Sequence, residues 1–182
     1  MTGRKTAYML LAALGFALLA EPVLAQQCVP FARQNSQIFL RGDAWMWWKA
    51  AEGRYARGHR PEVGSILVFQ KSGKMRRGHV AVVTQVIDER KILIEHSNWQ
   101  PSGRGKGQVA TSVAVIDLSP RNDWTQVRVW YGPVKDFGSK TYPTYGFIYP
   151  KSEADRVPEI IEANYVEPLT LMSELAEQDH QP

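Results

Sequence analysis

From Ile66 onward the chain gathers β-branched and aromatic residues into short runs and breaks each run with turn formers. Runs of this length cannot stand alone, so the region is confined to strands that must pair with one another. Ile66-Leu67-Val68-Phe69 lies between Pro61-Glu62-Val63-Gly64 and Lys71-Ser72-Gly73. Runs at 80–87 and 92–97 flank Asp88-Glu89-Arg90-Lys91 and predict a hairpin. Further strands are expected over 109–118, 126–132 and 146–149, with a glycine-rich loop at 101–107.

The segment before them reads differently. Apolar positions near a 3.6-residue period predict a helix over 29–40, and Pro30, which lacks an N–H, fits only its first turn. That places the helix start at about Cys28. Asp43 reads as the N-cap of a second, tryptophan-rich helix over 44–51. Helices first and then an antiparallel sheet of about five to six strands is an α+β layout.

Residues 1–25 stand apart from any fold. Arg4 and Lys5 precede an apolar stretch of about a dozen residues, which ends in Val23-Leu24-Ala25. These are the parts of a secretory signal peptide, and the run is short for a bilayer span. Cleavage is expected after Ala25, giving a secreted or periplasmic protein with no stable membrane span. Gln27, before the cysteine, is too large for a lipid-attachment site. The expected organisation is a signal peptide at 1–25, one catalytic domain at 26–150, and an acidic, partly flexible tail at 151–182.

Cys28 is the single cysteine of a 182-residue chain, so no internal disulfide can form. An unpaired thiol in an oxidising compartment invites side reactions, and it reads as functional. A nucleophilic thiol needs a lowered pKa, a base within reach and donors for an oxyanion. A helix opening at Cys28 favours the thiolate, and the Gln26 or Gln27 amide offers a donor. Of the four histidines, His59 lies in a basic loop and His180 in the tail. His79, following Gly78 at the start of a strand, is the candidate base. Its orienter must come from the second arm of the hairpin. Strand parity offers either Glu95 with Ser97 or His96 with Asn98, and both arms are apolar on both faces, so periodicity leaves the choice open.

The ordered set Gln27-Cys28-Val29, Gly64, Phe69, Gly78-His79-Val80-Ala81-Val82-Val83 and His96-Ser97-Asn98-Trp99 resembles the CHAP family, the cysteine, histidine-dependent amidohydrolases/peptidases. The resemblance covers residues 26–99 closely and extends to about residue 150. It implies a papain-like fold with N-terminal helices packed on the sheet. It also implies hydrolysis of amide bonds in peptidoglycan, by an amidase or an endopeptidase, with no cofactor. Where members of the family often carry an acid two residues before an Asn-Trp pair, this chain has His96. Related cell-wall cysteine peptidases use a second histidine as orienter, which ranks His96 first, Asn98 second and Glu95 third. Cys28, His79, His96 and Asn98 are then the catalytic set, and Gln27 and Trp99 contact substrate.

The expected partner is peptidoglycan or its peptide fragments. A domain this small is expected to find the wall through its own groove or through a protein activator or targeting partner. Two other readings use the same residues: a catalytically silent wall-binding protein, and a toxin amidase aimed at rival cells. The net charge of +4 suits any anionic partner, yet no basic run or nucleic-acid motif concentrates it. His59, His79 and His96 lack zinc-ligand spacing, so no metal is expected. Trp45, Trp47 and Trp48 read as core, and Arg76 and Arg77 as a solvated turn with the chemistry to hold carboxylates.

Overall fold

The computed structural model describes residues 26–99 and 106–152. The leader, most of the 101–107 loop, and the tail beyond residue 152 lie outside the described residues. No helix among the described residues is long and apolar enough to cross a membrane.

The architecture is mostly β and corrects the α+β, papain-like expectation. Six antiparallel strands close into a barrel: β2 (Ile66–Phe69), β3 (His79–Asp88), β4 (Lys91–Ser97), β5 (Val109–Asp117), β6 (Gln126–Tyr131) and β8 (Tyr142–Ile148). Closure occurs because β8 pairs with β2 on one side and with β6 on the other. Two short strands, β1 (Arg57–Gly58) and β7 (Asp136–Phe137), pair with β8 and β6. Among the described residues only two short α-helices are present, α1 (Cys28–Gln34) and α2 (Trp47–Ala50).

The helical expectation failed for local reasons. After Gln34, the Asn35 amide donates to Phe31 O at 2.9 Å and the Ser36 hydroxyl to Ala32 O at 2.7 Å. The Asn35 N–H still completes the helical bond to Phe31 O at 3.0 Å, but at Ala32 O the Ser36 hydroxyl stands where the backbone N–H of a continuing helix would be. The next apolar residues then follow a period of two: Ile38 and Leu40 are buried while Phe39 between them is 62% exposed. Ile38 and Phe39 therefore belong to an extended segment, not to a helix face. The second helix is a 3₁₀ turn (Ala44–Met46) followed by the single turn of α2. Asp43 makes no side-chain cap and instead pairs with Arg77 at 3.2 Å.

The short strands are buried on both faces at one end of the barrel. In β2 all four residues are buried. Ile66 and Val68 pack outward with Val80, Val82, Phe31 and Trp47 beneath the helices, and Leu67 and Phe69 pack inward with Ala81, Val83, Ile94 and Trp124. Burying each such side chain stabilises the fold by about 1.5–3 kcal/mol. Along β3 this ends at Val83, beyond which Thr84 to Asp88 are exposed. Beside the closure, β8 and β1 meet in a tight seam. Gly146 sits at φ +118°, where an added Cβ would lie 2.5 Å from Gly58 O.

Candidate active site

The site is built where the β2–β3 loop enters the barrel. Gly78 has φ +65°, and a Cβ there would lie 2.7 Å from Phe69 O and 2.8 Å from Trp45 Cβ. Only glycine fits this approach. It delivers the chain directly into β3 with His79 as the first strand residue, paired opposite Phe69. Alternation then turns His79 to the inner face, with Ala81 and Val83.

The register across the hairpin resolves the parity that the sequence left open. Val83 faces Ile94 and Val82 faces Glu95, so His96 follows on the inner face, diagonal to His79. His79 Nε2 and His96 Nδ1 lie 2.9 Å apart, and both rings are buried. Glu95 is on the opposite face and does not meet His79. The Trp99 ring packs edge-on against His79 at 4.9 Å and against Phe69 at 5.3 Å, walling the pair with aromatic surface.

Cys28 opens α1, and Gln27 before it is extended (φ −86°, ψ 152°). Two ties hold this entry segment. The Ser97 hydroxyl donates to Gln26 O, and Gln26 N–H donates to Gly107 O at 3.0 Å. Asn98, at φ 58°, donates its amide to Gln27 Oε1 at 2.7 Å and accepts from the Gly107 N–H at 2.9 Å. With its oxygen occupied, the Gln27 amide has its nitrogen left for a ligand. The Gln26 amide, by contrast, is bound to Gln34 on the helix.

Gln27, Cys28, His79, Asn98 and Trp99 line one open cavity of about 1030 Å³, with His96 behind His79. Of the sequence-assigned residues, all six thus converge. None of Trp45, Trp47 and Trp48 lines the cavity. Trp47 is fully buried and Trp48 stacks on Tyr145. His59 turns away, its Nδ1 lying 2.8 Å from Asp123 O. The far wall was missed in the sequence: Lys74, Trp130, Tyr131, Lys140 and Tyr142 all reach it. The adjacent pair Trp130-Tyr131, 41% and 43% exposed at a strand end, was the available signal.

Cys28, His79 and His96 rest uncharged. Burial pushes the Cys28 thiol above its ordinary value, outweighing the backbone N–H groups of Val80, Val29 and Cys28 itself, and the Asp43 carboxylate adds to the rise. The thiolate-favouring influence expected of a helix start is therefore overcome; α1 has seven residues. Burial lowers His79 well below the usual histidine value, and the neighbouring His96 lowers it further. Burial brings His96 to about 4. At neutral pH the arrangement is a thiol, an imidazole and a second imidazole in sequence. The one proton between the two rings sets complementary tautomers. With His79 Nε2 engaged by His96, Nδ1 is the nitrogen left to exchange a proton with a ligand or thiol.

The model of the family described as CHAP domain matches residues 21–98. No curated protein matches the chain. The match spans Cys28, His79, His96 and Asn98 and stops before β5, so the wall formed by residues 129–142 lies beyond it.

Proposed function

We propose, from the match of residues 21–98 to the model described as CHAP domain, a family whose members are generally amidases or peptidases of the peptidoglycan-hydrolase type, that this chain is a secreted cysteine hydrolase cutting an amide bond in peptidoglycan. The observation that carries the reading is the 2.9 Å contact between His79 and His96 at the back of the cavity that Cys28 lines. An orienter behind a base, with a thiol lining the same cavity as the base, fits the constellation nucleophilic acyl transfer requires.

In this reading Cys28 does not wait as a thiolate. As the sulfur attacks the carbonyl carbon, its proton passes to His79 Nδ1, while His79 Nε2–H donates to His96 Nδ1 and fixes the tautomer. The Cys28 N–H and the Gln27 amide nitrogen face the developing oxyanion. His79 then protonates the leaving amine as the C–N bond breaks. Water, deprotonated by His79, cleaves the thioester and restores the thiol.

The test is digestion of purified peptidoglycan by protein lacking residues 1–25, with mass spectrometry of the soluble products and Cys28→Ala as control. New amine and carboxylate ends from the unaltered protein alone support cysteine hydrolysis and identify the bond. An intact wall with both proteins removes the reading. The raised thiol pKa gives one specific reason to keep a second: a wall-binding protein in which Cys28 is inert. Retention on peptidoglycan without release of fragments supports that alternative.

A further inference from the structure

The cavity wall opposite Cys28 carries more positive charge than the fold needs. Lys74 and Arg76 come from the β2–β3 loop and Lys140 from the loop before β8. The two loops meet there, since a Cβ added at Gly73 would lie 3.6 Å from Lys140 Nζ. Among the described residues Asp43 is the only carboxylate lining the cavity, and it is engaged by Arg77. Among the described residues no carboxylate pairs with Lys74, Arg76 or Lys140. All three are exposed and line the same cavity, so they present a positive potential to any anion that enters it.

Lys140 is also placed at a defined remove from the histidines. Its Nζ lies 4.8 Å from the Tyr142 ring, that ring lies 5.0 Å from Trp99, and Trp99 lies 4.9 Å from His79. Laid end to end these contacts bound the separation at roughly 15 Å, the reach of about four extended residues. We propose that Lys74, Arg76 and Lys140 form a subsite for a free carboxylate on the peptide being cut, within about four residues of the scissile bond, so that the protein selects stems bearing that carboxylate over stems in which it is amidated. Arg76 supplies a planar, bidentate donor and the two ammonium groups supply charge. The proposal rests on the reading of the cavity as a hydrolase site.

The experiment uses pairs of soluble stem peptides that differ only in a carboxylate or carboxamide away from the cut bond. The expected ratio of kcat/KM is about tenfold in favour of the carboxylate, as one charge-assisted hydrogen bond supplies, and it shrinks as salt is raised. Lys140→Gln combined with Arg76→Gln brings the ratio close to one. Lys49→Gln, an exposed lysine outside the cavity, leaves the tenfold ratio in place. Equal cleavage of both peptides by the unaltered protein overturns the subsite while leaving the hydrolase reading standing. If no peptide is cut, titration of the Cys28→Ala protein with the same pairs reads the subsite independently. Severalfold tighter binding of the carboxylate form, lost with the double substitution, supports it; equal affinity, or no binding of either, overturns it.

Discussion

The two ends of the barrel both bury polar groups, and they do so in opposite ways. At the end away from the cavity, the Asp117 carboxylate is fully enclosed and takes Arg90 Nη1 at 3.2 Å, the Ser119 N–H at 2.8 Å and the Ser119 hydroxyl at 2.9 Å. Asn122, with its amide nitrogen turned inward, adds a donor at 2.9 Å. Most of these partners lie within five residues in the chain, and every acceptor is answered by a donor of this protein. At the cavity end two uncharged imidazoles, 17 residues apart, answer each other, and His79 lines the cavity. The first arrangement is complete and locks a corner; the second is incomplete without a ligand. Burial of polar groups marks a working site only when their hydrogen-bonding capacity is left over.

Substitution separates the two ends most sharply. His79→Ala is expected to lower kcat about 10³-fold or more, since it removes the base from a thiol that is not ionised at rest. Stopped assays of peptidoglycan release check this, and circular dichroism shows whether the barrel is retained. A loss under tenfold ends the assignment of His79 as base.

Acid is the next probe. His96 accepts a proton at about 4 in the folded protein and near 6.5 when unfolded, so the unfolded chain binds more protons between those values. The stability due to keeping His96 neutral is therefore whole above pH 6.5 and falls as the pH drops toward 4, by about 3 kcal/mol in all. His79, also lowered by burial, steepens the fall. Denaturant melts across pH 4–7 should show this slope, and His96→Asn should flatten it. The acid limb of kcat/KM should likewise lie below 6.5.

At the opposite end, Asp117→Ala is expected to cost about 2 kcal/mol, the value for a buried carboxylate whose arginine is half exposed. It should leave turnover per folded molecule unchanged. A drop in turnover would show the two ends to be coupled. Smallest of all, Asn98→Ala frees the Gln27 amide and should lower kcat/KM about fivefold, the worth of one neutral hydrogen bond. Restoration by Asn98→Asp, which keeps only the acceptor toward Gly107, would show that the backbone tie matters more than the Gln27 contact.

How much of this was legible follows from the range over which each signal acts. The β2 run matched residue for residue, and the β3–β4 hairpin came within a residue at each arm, because apolar runs and turn formers are local. Cys28 at a helix start and His79 at a strand start were equally readable. The choice of His96 over Glu95 was not, since it depends on register, and a run apolar on both faces carries no parity. Closure was invisible for a similar reason. Nothing in residues 142–148 announces that they pair with both 66–69 and 126–127. The helix over 29–40 misled because the Ser36 hydroxyl takes the Ala32 carbonyl at a point where the apolar spacing suits helix and strand alike.

The closing role of β8 bears on how the protein comes into being. It borders β1, β2 and β6, and the ring is open until it docks. Its pairings with β1 and β2 bridge some 80 residues of chain or more, and pairings over such separations form late. A nascent chain lacking residues 142–148 carries Cys28 and both histidines but no closed barrel and no Tyr142 wall. Activity should therefore switch on in one step at the end of folding, with no partly folded form able to cut.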